Sequence, residues 1–246
     1  MTRPFSYYAR KAHRYLGVVI GIQFLLWTIG GLYFSWNNLD RVHGDHLVTR
    51  TLELPADRPL VSPQAVVSQL PLRSLHTLQV VELLGEPVYQ VHYQATDGTA
   101  RWQLASARDG QLRDPLSEEE ARAIATQHFT PQASVAATEY LTEIGSHHEY
   151  RGRPLPAWAV TFDHPGRPTL YISAELGTFQ TVRHQQWRAF DWLWMLHTMD
   201  YAGRDHIGNW VLKGFSVLGL VTILSGFVLF FLTSRQRRSR RTVVGV

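Results

Sequence analysis

The chain has 246 residues, 18% of them charged, and no cysteine. That length accommodates roughly one globular domain of 100 to 200 residues beside membrane segments, and the missing thiols exclude disulfides, thiolate metal sites, iron–sulfur clusters and cysteine nucleophiles together. Charge is segregated: all 20 acidic residues lie between Asp40 and Asp205, with 14 Arg and no Lys, a formal balance of −6, so the overall +4 is the sum of an acidic middle and two acid-free basic ends.

The first element lies within Ala12–Trp36. From Tyr15 through Trp36 there is no Asp, Glu, Lys or Arg, and a run of that length, at about 1.5 Å per residue, crosses a hydrocarbon core of roughly 30 Å. The pattern predicts a transmembrane helix over 15–36. A basic N-terminus, 1–14, precedes it with Arg3, Arg10, Lys11 and Arg14, and Tyr33, Trp36, Asn37 and Asn38 close it, as in a helix that starts in the cytoplasm. The run is too long for a signal-peptide core and no small-x-small site follows, so it reads as an uncleaved signal anchor. Gly17 and Gly21 continue the face of His13 one and two turns on. Such a face suits close helix packing, within the chain, in a homodimer or in a larger membrane complex.

Residues 37–61 read as a linker carrying His43 and His46. An α+β domain is expected over 62–186. Ser62-Pro63 opens a short capped helix, and 78–110 alternates apolar and polar residues around Asp97-Gly98 and Asp109-Gly110, the signal of antiparallel hairpins. The order then recurs: Ser117 caps a helix with Glu118–Glu120 in its first turn, and strands follow across 156–179. Val88–Val91 corresponds to Ala157–Val160, and Ser106–Gly110 to Ser173–Gly177. Two helix-then-sheet repeats, about 62–112 and 116–183, are each too small to bury a core alone and should pack together.

Trp187, Trp192, Trp194 and Trp210 mark 187–206 and its edge as a stretch at the outer membrane–water boundary. A second apolar run, 207–233, is interrupted by Lys213, shallow enough to snorkel outward. Arg235, Arg237, Arg238, Arg240 and Arg241 follow it in a cytoplasmic tail, 234–246. The positive-inside rule and attraction to anionic lipid explain this cluster without nucleic acid. The expected arrangement is a bacterial inner-membrane protein with both termini in the cytoplasm and the central domain outside.

His13-Arg14-Tyr15-Leu16-Gly17 at the first helix, the helix-and-strand repeat, Leu196-His197 and Ser225-Gly226 together resemble the PepSY-associated transmembrane proteins. The resemblance spans nearly the whole chain. It implies membrane helices flanking an α+β domain of two PepSY-like repeats. Larger members look like inner-membrane reductases that carry b-type haem and reduce ferric siderophores, so it also implies a place in iron or haem redox metabolism. This chain departs from them in having two membrane helices where they have about four.

Histidines are the candidate ligands. Haem b between helices takes two imidazoles at one depth. His13 lies at the inner end, over 30 Å by helix length from His43, and 220–233 holds no histidine, so a second axial ligand at that level has to come from a second copy or another subunit. His43, His46, His197 and His206, with Asp40, Asp45, Asp200 and Asp205, converge on one outer layer if the helices pack side by side. That set suits iron, zinc, copper or a bis-His haem, or else an ion-pair layer such as Asp40 or Asp45 with Arg204. His147-His148-Glu149 reads as a solvated loop, since adjacent residues point apart. No Gly-rich phosphate loop, HExxH or GxSxG occurs. Two readings stand: electron transfer from the membrane to an extracytoplasmic ferric complex, resembling a ferric-siderophore reductase, or a membrane-anchored scaffold whose α+β domain docks a partner.

Overall fold

The computed structural model describes residues 5–50, 53–54 and 58–243, and of residues 5, 6, 9, 12 and 232–243 it describes the backbone alone. The side chains of the C-terminal Arg cluster lie outside the described residues. Two compact units form: a helical one from residues up to Asn37 and from Phe190 onward, and a globular one over Asn38–Ala189.

The helical unit contains α1 (Phe5–Trp36), the C-terminal part of α5 (Gln185–Thr198) and α6 (Trp210–Val243). His13–Trp36 and Trp210–Phe231 are long and apolar enough to cross a membrane. Most of their surface is unburied: Val18, Ile22, Val217, Phe230 and Phe231 are all more than half exposed, a surface that water would not tolerate and lipid would. The second span starts at Trp210, three residues later than expected, because Asn209 caps the helix there, its Oδ1 accepting from the Leu212 N–H at 2.8 Å. Lys213 folds back over the Trp210 ring, 4.9 Å from its centroid.

Where α1 meets α6, the contact includes Phe24, which lies where a Cβ on Gly219 would be 3.4 Å from its ring; Ile20 and Gln23 on α1 and Thr222 on α6 are buried. Gly17 and Gly21 are not part of it. Among the described residues nothing lies within 4 Å of a Cβ built on either, so their packing face is left open there.

The globular unit contains two four-stranded antiparallel meanders. The first, preceded by α3 (Pro63–Val67), orders β1 (Leu72–Leu83), β2 (Glu86–Ala95), β3 (Ala100–Ser106) and β4 (Leu112–Arg113). The second, preceded by α4 (Glu118–His128), orders β5 (Val135–Leu141), β6 (Ala157–Phe162), β7 (Thr169–Ser173) and β8 (Phe179–Arg183). Ser62 caps α3 with Pro63 in its first turn, and Ser117 caps α4 in a complete capping box with Glu120. The hairpin turns coincide bond for bond. Ala107 N–H donates to Pro87 O and Gly110 N–H to Ser106 O; Ala174 N–H donates to Pro156 O and Gly177 N–H to Ser173 O.

One core lies between the two sheets, with Leu83, Val88 and Leu104 from the first meeting Val160, Phe162, Leu170, Ile172 and Val182 from the second, closed by Ile124 and Ala125 of α4. The far face of sheet one is covered by Val66 and Leu70, and that of sheet two by Tyr150 and Leu155.

Three expectations change here. Residues 38–48 are no linker: Asn38 caps a short helix α2 (Leu39–His43), and Val42, Leu47 and Val48 are buried, with Val48 bridged to Phe129. Gly44, at φ +82°, makes the turn after α2, and a Cβ there would lie 2.7 Å from Val182, so the segment docks because it holds glycine. Trp187 does not face a headgroup layer. It is buried in the globular unit, with the Arg183 guanidinium 3.9 Å over its ring. The loop at 147–149 is not simply solvated either. Glu149 is bound by Arg188 at 2.6 and 2.8 Å and accepts from the Tyr171 hydroxyl at 2.7 Å.

Candidate functional site

The candidate ligands fall into different surroundings. In the globular unit, Asp40 lies in the first turn of α2 and His43 is exposed in its last. Asp45 is ion-paired with Arg50, and His46 meets His184 edge to face at 5.8 Å. His184 is the residue that sequence reasoning missed. It is buried, its Nε2 lies 3.1 Å from the Val42 carbonyl, and burial lowers its pKa. Burial and the nearby Arg41 charge lower that of His46 as well, which favours the neutral form of both rings.

In the helical unit, Asp200 caps the loop after α5, accepting from Gly203 N–H at 3.2 Å and His206 N–H at 2.8 Å. Those bonds hold its carboxyl below the ordinary range. His206 and Asp205 are exposed in the same loop. Arg204 is held by Asp191 at 2.6 Å. Among the described residues no group of three His, Asp or Glu side chains is placed to hold a metal ion. Of the carboxylates in the outer set, Asp45 and Asp200 have local partners.

Leu196-His197 has a structural task. The last carbonyls of a helix lack intrahelical donors, and here three side chains supply them: Gln23 Nε2 to Leu196 O at 3.0 Å, Trp27 Nε1 to His197 O at 2.8 Å, and Asn209 Nδ2 to Thr198 O at 2.9 Å. The His197 ring sits among Phe34, Trp27 and Trp194, the last stacked at 14°. Its Nδ1 is buried with no hydrogen-bond partner among the described residues, close to Gly30. A cavity of about 360 Å³ lined by Trp27, Trp194, His197, Thr198, Ile207 and Leu212 lies beside it.

His13 is arranged differently. Its Nδ1 lies 2.7 Å from Ser225 Oγ, while Ser225 Oγ donates its one proton to the Thr222 carbonyl at 2.7 Å. With the serine proton so directed, its oxygen is left to accept from Nδ1–H, and in that tautomer Nε2 carries a lone pair. Gly226 lets the ring come close to α6: a Cβ there would lie 3.3 Å from His13 Cε1. The same glycine borders a groove of about 460 Å³ walled by Ile223, Phe227, Phe230 and Phe231.

The family model of the PepSY-associated TM region matches residues 10–244. The chain belongs to this family. It is thus a PepSY-associated membrane protein, and the paired residues His13 and Ser225 both fall within the matched region, 212 positions apart. No curated protein and no solved structure matches the chain.

Proposed function

We propose that this PepSY-associated protein is a haem-bearing component of iron or haem redox metabolism. In this reading it sits in a bacterial inner membrane with both termini in the cytoplasm. It passes electrons outward toward a ferric complex, and its globular unit is a pair of PepSY-like repeats. The observation that carries the reading is the His13 arrangement. A ligating imidazole typically donates its second N–H to a fixed acceptor, which sets tautomer and ring orientation. Ser225 is such an acceptor, Gly226 lets the His13 ring lie close against α6, and an apolar groove walled by phenylalanines borders the same glycine. Haem, when bound, supplies a one-electron carrier.

His197 is not the second axial ligand. It lies beside Gly30, and along α1 the distance from His13 to Gly30 is about 25 Å at 1.5 Å per residue. The partner histidine would come from His13 of a second copy, packed along the open Gly17 and Gly21 face, or from another subunit. A docking role for the globular unit alone rests on a cavity of about 280 Å³ that opens between its sheets, lined by Arg50, Glu82, Gln127 and His128 among apolar residues.

The test is an absorption spectrum of protein purified in detergent after expression with haem supply. The expected result is a Soret band that shifts on dithionite, lost in His13→Ala and retained in His197→Ala. Colourless wild type, or a band indifferent to His13→Ala, would overturn the proposal and leave the docking role.

A further inference from the structure

β1 holds a bulge. Leu75 pairs with Tyr93 and Thr77 with His92, so His76 has no cross-strand partner of its own. A bulge sets two residues against one and re-aims the extra side chain. Here it brings the His76 ring to 5.0 Å from that of His92. Trp102, opposite His92 on β3, stacks on the second imidazole at 4.3 Å and 10°. Among the described residues, no protein group hydrogen-bonds to either imidazole. His76 is exposed and His92 half-buried, so the pair opens to solvent.

We propose that His76 and His92 form a two-imidazole site for a divalent transition-metal ion, with Cu²⁺ the tightest. The spacing carries this. With metal–nitrogen bonds of about 2.0–2.1 Å, two imidazoles on a square-planar or tetrahedral ion place their ring centroids roughly 4.5–5.2 Å apart, and these stand at 5.0 Å. Imidazole suits copper, nickel and zinc, and affinity peaks at Cu²⁺. The chain has no thiolate to draw such an ion elsewhere. No third His, Asp or Glu joins the pair among the described residues, so the other positions fall to water and the bound ion stays exchangeable. The indole of Trp102 fixes the plane of His92 and reports on it. This site lies in the globular unit and does not depend on His13.

The experiment is a Cu²⁺ titration of full-length detergent-solubilised protein freed of any polyhistidine tag, followed by tryptophan emission and by electron paramagnetic resonance. The expected result is one equivalent bound with coupling to two nitrogens, and affinity falling at least tenfold in both His76→Gln and His92→Gln. Trp102→Phe should keep the affinity and lose most of the quenching. His147→Gln serves as a control and should change nothing. Cu²⁺ affinity unchanged in His76→Gln, or a spectrum without nitrogen coupling, would overturn the site. Thermal unfolding of each apo variant separates loss of the ligand from loss of the sheet.

Discussion

The two units solve the same problem in opposite ways. The globular unit hides its apolar residues from water between two sheets and under flanking segments, and its half-buried carboxylate Glu149 is held by Arg188 and Tyr171. The helical unit leaves its apolar residues outward and spends its polar side chains on backbone carbonyls: Gln23, Trp27 and Asn209 each cap the end of α5. In the first unit stability lies in packing, and in the second it lies with the lipid and a few directed hydrogen bonds. A side chain not used in either way, such as the Nε2 of His13, is correspondingly informative.

The sharpest break of this contrast is Phe162→Ala. Phe162 is 1% exposed at the centre of the core, and its loss should destabilise the globular unit by about 3–5 kcal/mol. Val217→Ala on the outer face of α6 should cost almost nothing. Urea unfolding of the two variants in detergent, read by circular dichroism, measures both.

Next in size is Glu149→Gln, at about 1–3 kcal/mol. Burial alone would raise the Glu149 pKa, but the hydrogen bonds and charge of Arg188 and the Tyr171 hydroxyl outweigh it and hold the group below its ordinary 4.5. A carboxyl with a lowered folded pKa contributes stability that is fully present above its unfolded value and lost as pH falls through the folded one. The gap between wild type and Glu149→Gln should therefore be constant above about pH 5 and close as pH drops below about 4. A gap that widens in acid would contradict the assignment.

The smallest effect belongs to Gln23→Leu. It strips the donor from the Leu196 carbonyl, and hydrogen bonds in membranes average about 0.6 kcal/mol, with a maximum of about 1.7. Steric trapping or thermal inactivation in detergent should register a loss within that range, and no change would mean that water replaces the amide.

Much of this was legible from residues alone. The uncharged runs announced the two long helices, Ser62-Pro63 and Ser117 announced the starts of α3 and α4, and the Asp-Gly turns placed the hairpins. β5 escaped notice because most of its residues face solvent at a sheet edge and carry a weak alternation. The docking of 38–48 was hidden because it depends on Gly44 fitting against Val182, a contact across more than a hundred residues. For the same reason the meeting of His13 with Ser225 was not visible, although both residues stood out singly. His76 and His92 come together through a bulge, which shifts register in a way that strict alternation does not show.

The measurement that bears most directly on the central claim is the haem content of the purified protein, determined as the pyridine haemochrome per chain, in wild type, Ser225→Ala and His13→Ala. One haem per two chains is expected in the wild type where His13 pairs with His13 of a second copy, with a weakened complement in Ser225→Ala, where Nδ1 loses its acceptor, and none in His13→Ala. Equal haem in all three, or none in any, would contradict it.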